Sequence, residues 1–304
     1  MCTSNPNTKI KLPSLNLKRL LPRALFAFCA AWVILAAGLS TVYTHGLLHP
    51  ACAPAGDPPA GFESVSLQTQ DGLALQGWWA APHNSAVILL LPGHGGSRAS
   101  LLEEARFLSA AGYGVLSVDP RACAGEISTI GWREAQDLRA MRDYALAQPG
   151  VQWLGVLGFS AGGAAAILAA AEIPEIRAVI AEGNYANLAA EITFTPAFPL
   201  SMEWLIQRFT LLAYALQTGV WPGRVSPIEA LPRVCPRPVL LIHGQREIER
   251  SCGEQQAAAA PCAQLWVVPG AGHGEYPAAQ PQLYRQTVLQ FLEQARLSVE
   301  APSP

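Results

Sequence analysis

The chain has 304 residues, 51% of them hydrophobic, with 20 basic and 22 acidic side chains and a net charge of −2. That length suits one large domain or two small ones, with enough apolar side chains to bury a sizeable core. The charge balance excludes the basic face that phosphate backbones require, so no nucleic-acid partner is expected.

Residues 1–23 form a basic tail that carries Lys9, Lys11, Lys18, Arg19 and Arg23 and no acid. Ala24 to Val42 follows without a charge. As a helix this run measures about 28 Å, close to the ~30 Å of bilayer hydrocarbon. Residues 24–44 therefore read as a transmembrane signal anchor. No Lys or Arg follows until Arg98, so the positive-inside rule places the N-terminus in the cytoplasm and the rest on the extracytoplasmic side. The competing reading is a cleaved signal peptide. It needs a shorter apolar stretch, and the A-x-A candidate, Ala51-Cys52-Ala53, lies well past the apolar run with Pro54 behind it. Residues 45–61, with Pro50, Pro54, Pro58 and Pro59, read as a linker.

From Phe62 the pattern changes. Glu63–Gln70 and Leu73–Ala80 alternate around Asp71-Gly72, which predicts a β-hairpin. Ala86–Leu91 reads as a buried strand that ends in the turn Pro92-Gly93-His94-Gly95-Gly96-Ser97. Ser100–Ala111 has helical spacing, Val115–Asp119 is the next strand, and Glu134–Leu146 is helical again. Trp153–Gly158, Ala161–Glu172 and Ile176–Glu182 predict strand, helix and strand. Val239–His243 and Gln264–Val268 are two further strands, and Leu283–Leu297 is a closing amphipathic helix. Strands alternating with helices predict βαβ units and a mostly parallel sheet covered on both faces, with the hairpin adding antiparallel strands at one edge. The domain is expected over 62–298, with a tail at 299–304. A helical cap is expected at about 184–230, where Met202, Leu205, Phe209, Leu212 and Leu216 recur at helical spacing.

The seven cysteines show no C-x-x-C and no histidine at ligand spacing, so no metal site is expected. Their odd number leaves at least one unpaired. Free, partly buried thiols are the expectation, and a Cys235–Cys262 bridge is the alternative, since both precede strands expected to be neighbours.

Gly158-Phe159-Ser160-Ala161-Gly162 is a G-x-S-x-G pentapeptide set between a strand and a helix. A sharp turn there lifts a serine Oγ above the sheet edge, and the Ala161 N–H at the helix N-terminus faces developing negative charge. Serine needs a base, and the base needs an orienting acid. His273, in a glycine-rich loop after the strand LWVV, is the candidate base. Glu247, after the strand VLLIHG, is the candidate acid, with Glu249 second. The turn at 92–97 stands where a second oxyanion amide belongs, and His94 N–H is assigned to it. His243 reads as structural.

Together these segments resemble the α/β-hydrolase superfamily. More narrowly they look like its bacterial prolyl-oligopeptidase-like and serine-aminopeptidase-like branch. The resemblance spans about Phe62 to Leu297 and rests on DGLALQGWW, PGHGGSRA, GYGVLSVDPRACAGE, GVLGFSAGG, IRAVIAEG, SPIEALPRVCPRPVLLIHG and WVVPGAGHGEY. It departs from that family at Pro92, where His is usual, at Ala122-Cys123-Ala124-Gly125, which replaces Gly-His-Gly, and at Glu247, where Asp is usual. The resemblance implies an α/β-hydrolase fold and acyl transfer to water through Ser160, His273 and Glu247. Amides of His94 and Ala161 would hold the oxyanion, and no metal or organic cofactor is implied.

Esters, thioesters, amides and peptides are all open to such a fold. Cap residues Phe194, Phe198, Met202, Trp204, Leu205, Phe209, Leu212 and Tyr214 suggest an apolar acyl pocket, or simply packing of the cap onto the body. A carboxylic ester or related acyl bond of a small molecule is the first expectation, and a cap beside an anchored membrane could also receive lipid-like esters. A peptide whose amine meets Glu191 or Glu203 is the second, and a non-catalytic binding protein on a hydrolase fold is the rival of another class.

Overall fold

In the computed structural model, which describes residues 17–195, 197–247 and 250–300, a long helix α1 (Leu17–Leu48) precedes an α/β body. Among the described residues eight strands form one sheet: β1 (Glu63–Gln68), β2 (Ala74–Ala80), β3 (Ala86–Leu91), β4 (Gly114–Val118), β5 (Trp153–Phe159), β6 (Ile176–Glu182), β7 (Val239–Gly244) and β8 (Ala263–Val268). Their spatial order is β1-β2-β4-β3-β5-β6-β7-β8. β1 and β2 pair antiparallel, as do β2 and β4, and every pairing from β4 through to β8 is parallel. The sheet thus has the mostly parallel order and the antiparallel leading hairpin that the sequence pattern predicts.

The helices are α2 (Leu102–Ala110), α3 (Trp132–Leu146), α4 (Ala161–Ala170), α5 (Leu188–Ile192), α6 (Met202–Thr218), α7 (Pro227–Val234), α8 (Arg250–Ala259), α9 (Tyr276–Ala279) and α10 (Pro281–Glu300). Two apolar layers hold them to the sheet. Val87, Leu89 and Leu91 of β3 join Val156, Val179 and Leu241 against α3, α4 and α7. Ile88 and Leu90 join Val115, Leu157 and Ile180 against α2 and α10. Strands buried on both faces must be apolar at every position, which is why AVILLL has no alternation.

Helix α8 was not foreseen, because RSCGEQQAAA lacks a strong apolar stripe. The chain between β6 and β7 is helical, as expected, but α7 packs on α4 and α8 in the body, so α5 and α6 make up the cap. Helix α1 continues past residue 44, where the anchor is expected to give way to the linker. It runs on to Leu48, because Ala36, Ser40, Thr44 and Leu48, four residues apart, are buried against the rest of the protein. Leu48 packs with Ile130, Ala161, Tyr185 and Tyr214, and its carbonyl accepts from Ser128 N at 2.8 Å.

The expectation of free thiols is overturned at four positions. Cys235 and Cys262 are bridged, and so are Cys52 and Cys123, a pair that sequence spacing did not suggest. The second bridge fastens the segment after α1 to the loop after β4. Beside it, Ala53 N donates to Gly95 O at 2.9 Å.

Candidate active site

Ser160 sits between β5 and α4 with φ 54° and ψ −118°, a positive φ in a residue that is not glycine. Such strain persists only where neighbours enforce it. Here the chain passes so tightly that a Cβ on Gly158 would lie 2.2 Å from Gly162 O, and one on Gly162 would lie 2.3 Å from Leu91 O. The two glycines are therefore required by space. The Ser160 amide donates to Glu182 O at 2.6 Å, which pins the turn to the end of β6.

His273 comes from the loop between β8 and α9, and Glu247 from the loop after β7. Glu247 Oε1 lies 2.8 Å from His273 Nδ1. The same oxygen accepts from the Tyr276 hydroxyl, and Oε2 accepts from Gly244 N at 2.5 Å. The buried His243 places its Nδ1 3.4 Å from Oε2. Burial opposes ionisation of Glu247, but the contacts from His243, His273, Tyr276 and the Gly244 amide outweigh it and hold the carboxyl well below its usual range. Tyr276 is driven the other way, by burial and by the carboxylate it faces. Glu249, the second candidate acid, lies outside the described residues.

The imidazole of His273 leans on the Phe159 ring, with centroids 4.7 Å apart. A Cβ on Gly183, whose φ is +55°, would come within 2.8 Å of His273 Cε1. Sequence reasoning missed Tyr276, Phe159 and Gly183 in these supporting positions. The one available signal was Tyr276, which follows the candidate base by three residues.

The turn at 92–97 lies against Ser160, close enough that a Cβ on Gly93 would be 3.3 Å from Ser160 Cβ. Ala161 opens α4, so its amide is among those that have no partner within the helix. Partial desolvation lowers the pKa of the His94 side chain against the pull of Glu134. Ser160, Ala161, His94 and His273 line one cleft of about 260 Å³. Its other walls are Ile130, Gly183, Tyr185, Leu188, Glu191 and Ile192, together with Tyr43 and Leu47 of α1.

The cap side chains behave differently from the expected acyl pocket. None of Phe194, Phe198, Met202, Trp204, Leu205, Phe209, Leu212 or Tyr214 lines this cleft. Leu205 and Tyr214 are buried, and Phe194, Phe198 and Leu212 face outward. Helical spacing reveals that a face is apolar but not what it meets. Glu203 is exposed away from the cleft, whereas Glu191 lines it.

Beneath the elbow is a second polar group. The Tyr284 hydroxyl lies 2.6 Å from Glu182 and 3.0 Å from Glu104, all three buried. One hydroxyl proton cannot serve two carboxylates, so one carboxyl must keep its own proton. Burial and then mutual repulsion raise Glu182, and burial raises Glu104. Among the described residues no cluster of three His, Cys, Asp or Glu side chains could hold a metal ion.

Residues 86–226 match a family model described as the alpha/beta hydrolase fold. No curated protein matches the chain. Among solved structures, an esterase of Pyrococcus furiosus (Pf2001) is 23% identical, with a TM-score of 0.65 over 82% of this chain and 98% of that one. Est1E of Butyrivibrio proteoclasticus, also solved with ferulic acid bound, is 18% identical with a TM-score of 0.58 over 77% of this chain and 99% of its own. A hypothetical protein of Pseudomonas aeruginosa (PA2218) is 20% identical with a TM-score of 0.55 over 74% and 91%. The chain carries the α/β-hydrolase fold.

Proposed function

We propose that this α/β-hydrolase-fold chain is a serine ester hydrolase working through an acyl-enzyme on Ser160. The single observation that carries the reading is the Glu247–His273 hydrogen bond at 2.8 Å beside a cleft that also contains Ser160. His273 takes the proton as Ser160 Oγ attacks the ester carbonyl, and returns it to the departing alkoxide. Water, deprotonated by the same imidazole, then releases the acid. Glu247, held ionised, fixes the ring tautomer and stabilises the imidazolium. The amides of His94 and Ala161 receive the oxyanion, an interaction typically worth about 3–4 kcal/mol per donor. The mostly apolar walls at Tyr43, Leu47, Ile130, Leu188 and Ile192 suit an acyl chain.

Within the fold, the motif set favours the prolyl-oligopeptidase-like and serine-aminopeptidase-like branch. Amide hydrolysis is the second reading, favoured by the carboxylate of Glu191 in the cleft, where a substrate amine would meet it. The helix Leu21–Leu48, with mean hydropathy 2.1, is long and apolar enough to cross a membrane. The basic tail puts its N-terminus on the cytoplasmic side. Two disulfides suit a domain on the oxidising side.

The test is labelling by a fluorophosphonate probe, followed by a panel of p-nitrophenyl esters and aminoacyl amides. Labelling of the native protein that disappears in Ser160→Ala, with esters turned over faster than amides, is the expected result. Equal labelling of Ser160→Ala would sink the nucleophile. No labelling at all would favour a binding protein on a hydrolase scaffold.

A further inference from the structure

Helices α1 and α6 lie side by side and run in the same direction. The Trp32 indole N–H donates to Leu200 O at 3.3 Å, just before α6. Eight residues on, the Ser40 hydroxyl lies 3.0 Å from Ile206 O. Another two turns on, Leu48 shares a buried cluster with Tyr214. The contact stripe Ala36-Ser40-Thr44 is made of small side chains, which let two helix backbones approach closely.

This pairing fixes how much of α1 is free. From Arg23 to Trp32 the helix rises only about 14 Å, half of a ~30 Å hydrocarbon layer. The span is completed only if the part of α1 beside α6 also lies in the layer, and that carries the cap rim into the far leaflet. The rim is built for such a place. Phe194, Phe198 and Leu200 are 53%, 86% and 71% exposed, and the Leu200 carbonyl meets Trp32 of α1, a helix whose Phe28, Ile34 and Leu35 are exposed as well. A soluble surface rarely gathers such side chains without a partner. Glu203 and Arg208 oppose deep insertion of α6. Arg208 lies over the Trp204 ring at 5.5 Å, on a stem long enough to carry its charge toward the headgroups.

The same helix also builds the catalytic cleft. Tyr43 and Leu47, on the last turns of α1, line it together with Leu188 and Ile192 of α5. The cleft that holds Ser160 is thus bordered by the helix that enters the bilayer. We propose that the substrate is the acyl ester of a membrane lipid, which reaches Ser160 laterally from the leaflet in which the cap rim is seated. This rests on the ester-hydrolase reading above and names its substrate class.

The experiment uses the full chain reconstituted in phosphatidylcholine vesicles doped with 4-methylumbelliferyl oleate, with p-nitrophenyl acetate in the aqueous phase as a second substrate. The variant is Phe198→Asp with Leu200→Asp, two surface positions outside the cleft. The expected result is a loss of at least tenfold in oleate turnover, with acetate turnover within twofold of the native chain; the acetate rate reports that the variant is folded. Native-like oleate turnover by the variant would overturn the proposal. So would native protein that hydrolyses acetate but not vesicle-borne oleate, an outcome that leaves the esterase reading standing. Native protein that hydrolyses neither and resists the fluorophosphonate overturns both.

Discussion

Glu247 grips His273 with one carboxylate oxygen and its own loop with the other: Oε1 is 2.8 Å from Nδ1, and Oε2 is 2.5 Å from the Gly244 amide. Glu247 cannot swing away from His273 without breaking a bond inside its own turn. Glu247→Gln keeps the shape but removes the charge and can present the wrong hydrogen-bonding group to Nδ1. A fall in kcat of about 10³–10⁴ is expected, as when a triad acid is neutralised elsewhere. Glu247→Asp shortens the reach and should lose more than tenfold, while Glu249→Gln should stay within twofold. Steady-state kinetics on a p-nitrophenyl ester measure all three, and a collapse in the Glu249 variant alone would move the acid.

Glu182, Tyr284 and Glu104 give the fold a pH dependence whose sign is fixed. Both carboxyls are raised above their ordinary 4.5, so the folded state holds a proton that the unfolded chain releases. That contribution is complete below pH 4.5 and is lost as pH rises through the raised values. Tm should therefore decline from pH 5 to pH 8. In Glu104→Gln, which keeps a hydrogen-bonding group without a titrating proton, the decline should be shallower. Calorimetric melts across that range decide it, and an unchanged slope in the variant would show that the shared proton is not the cause.

The two disulfides should separate stability from activity. Each constrains the unfolded chain and is worth about 2–4 kcal/mol, so Cys235→Ser and Cys52→Ser should each lower Tm. The Cys52–Cys123 bridge sits beside the turn that carries His94, with Cys123 Sγ 3.5 Å from Gly96 O. Its loss should also lower kcat severalfold at a temperature where the protein is fully folded. Cys235→Ser should leave kcat alone. Equal effects of the two variants on kcat would detach the bridge from any role in positioning the turn that carries His94.

What could be read from the sequence follows from how local each signal is. The G-x-S-x-G turn, the strand before it and the helix after it are set by contiguous residues, and the chain order of Ser160, Glu247 and His273 narrows the choice of partners. Buried parallel strands such as AVILLL announce themselves by composition. The pairing of α1 with α6 does not, because a helix apolar on every side hides its contact stripe. Ala36, Ser40 and Thr44 are ordinary residues in a membrane-spanning pattern, and only the fold shows that they face a partner. Cys52 and Cys123, 71 residues apart, are likewise joined by a tertiary approach that no spacing rule encodes. The outward aim of Phe194 and Phe198 depends on where the cap sits, and they read as pocket residues until the cap is placed.

The last turns of α1 should behave as part of the catalytic domain. Leu48 is fully buried among Ile130, Ala161 and Tyr214, so Leu48→Ala leaves a cavity and should cost about 2–5 kcal/mol. Such a loss is large for a residue in what composition reads as a linker. Leu47, one residue earlier, faces the cleft instead, and Leu47→Trp should fill it without unfolding anything. Long-chain p-nitrophenyl esters should then lose at least tenfold in kcat/KM, while acetate stays within threefold. If both substrates fall together, Leu47 only supports the catalytic groups. If neither falls, the acyl chain leaves the cleft by another wall, and Leu47 has no part in holding it.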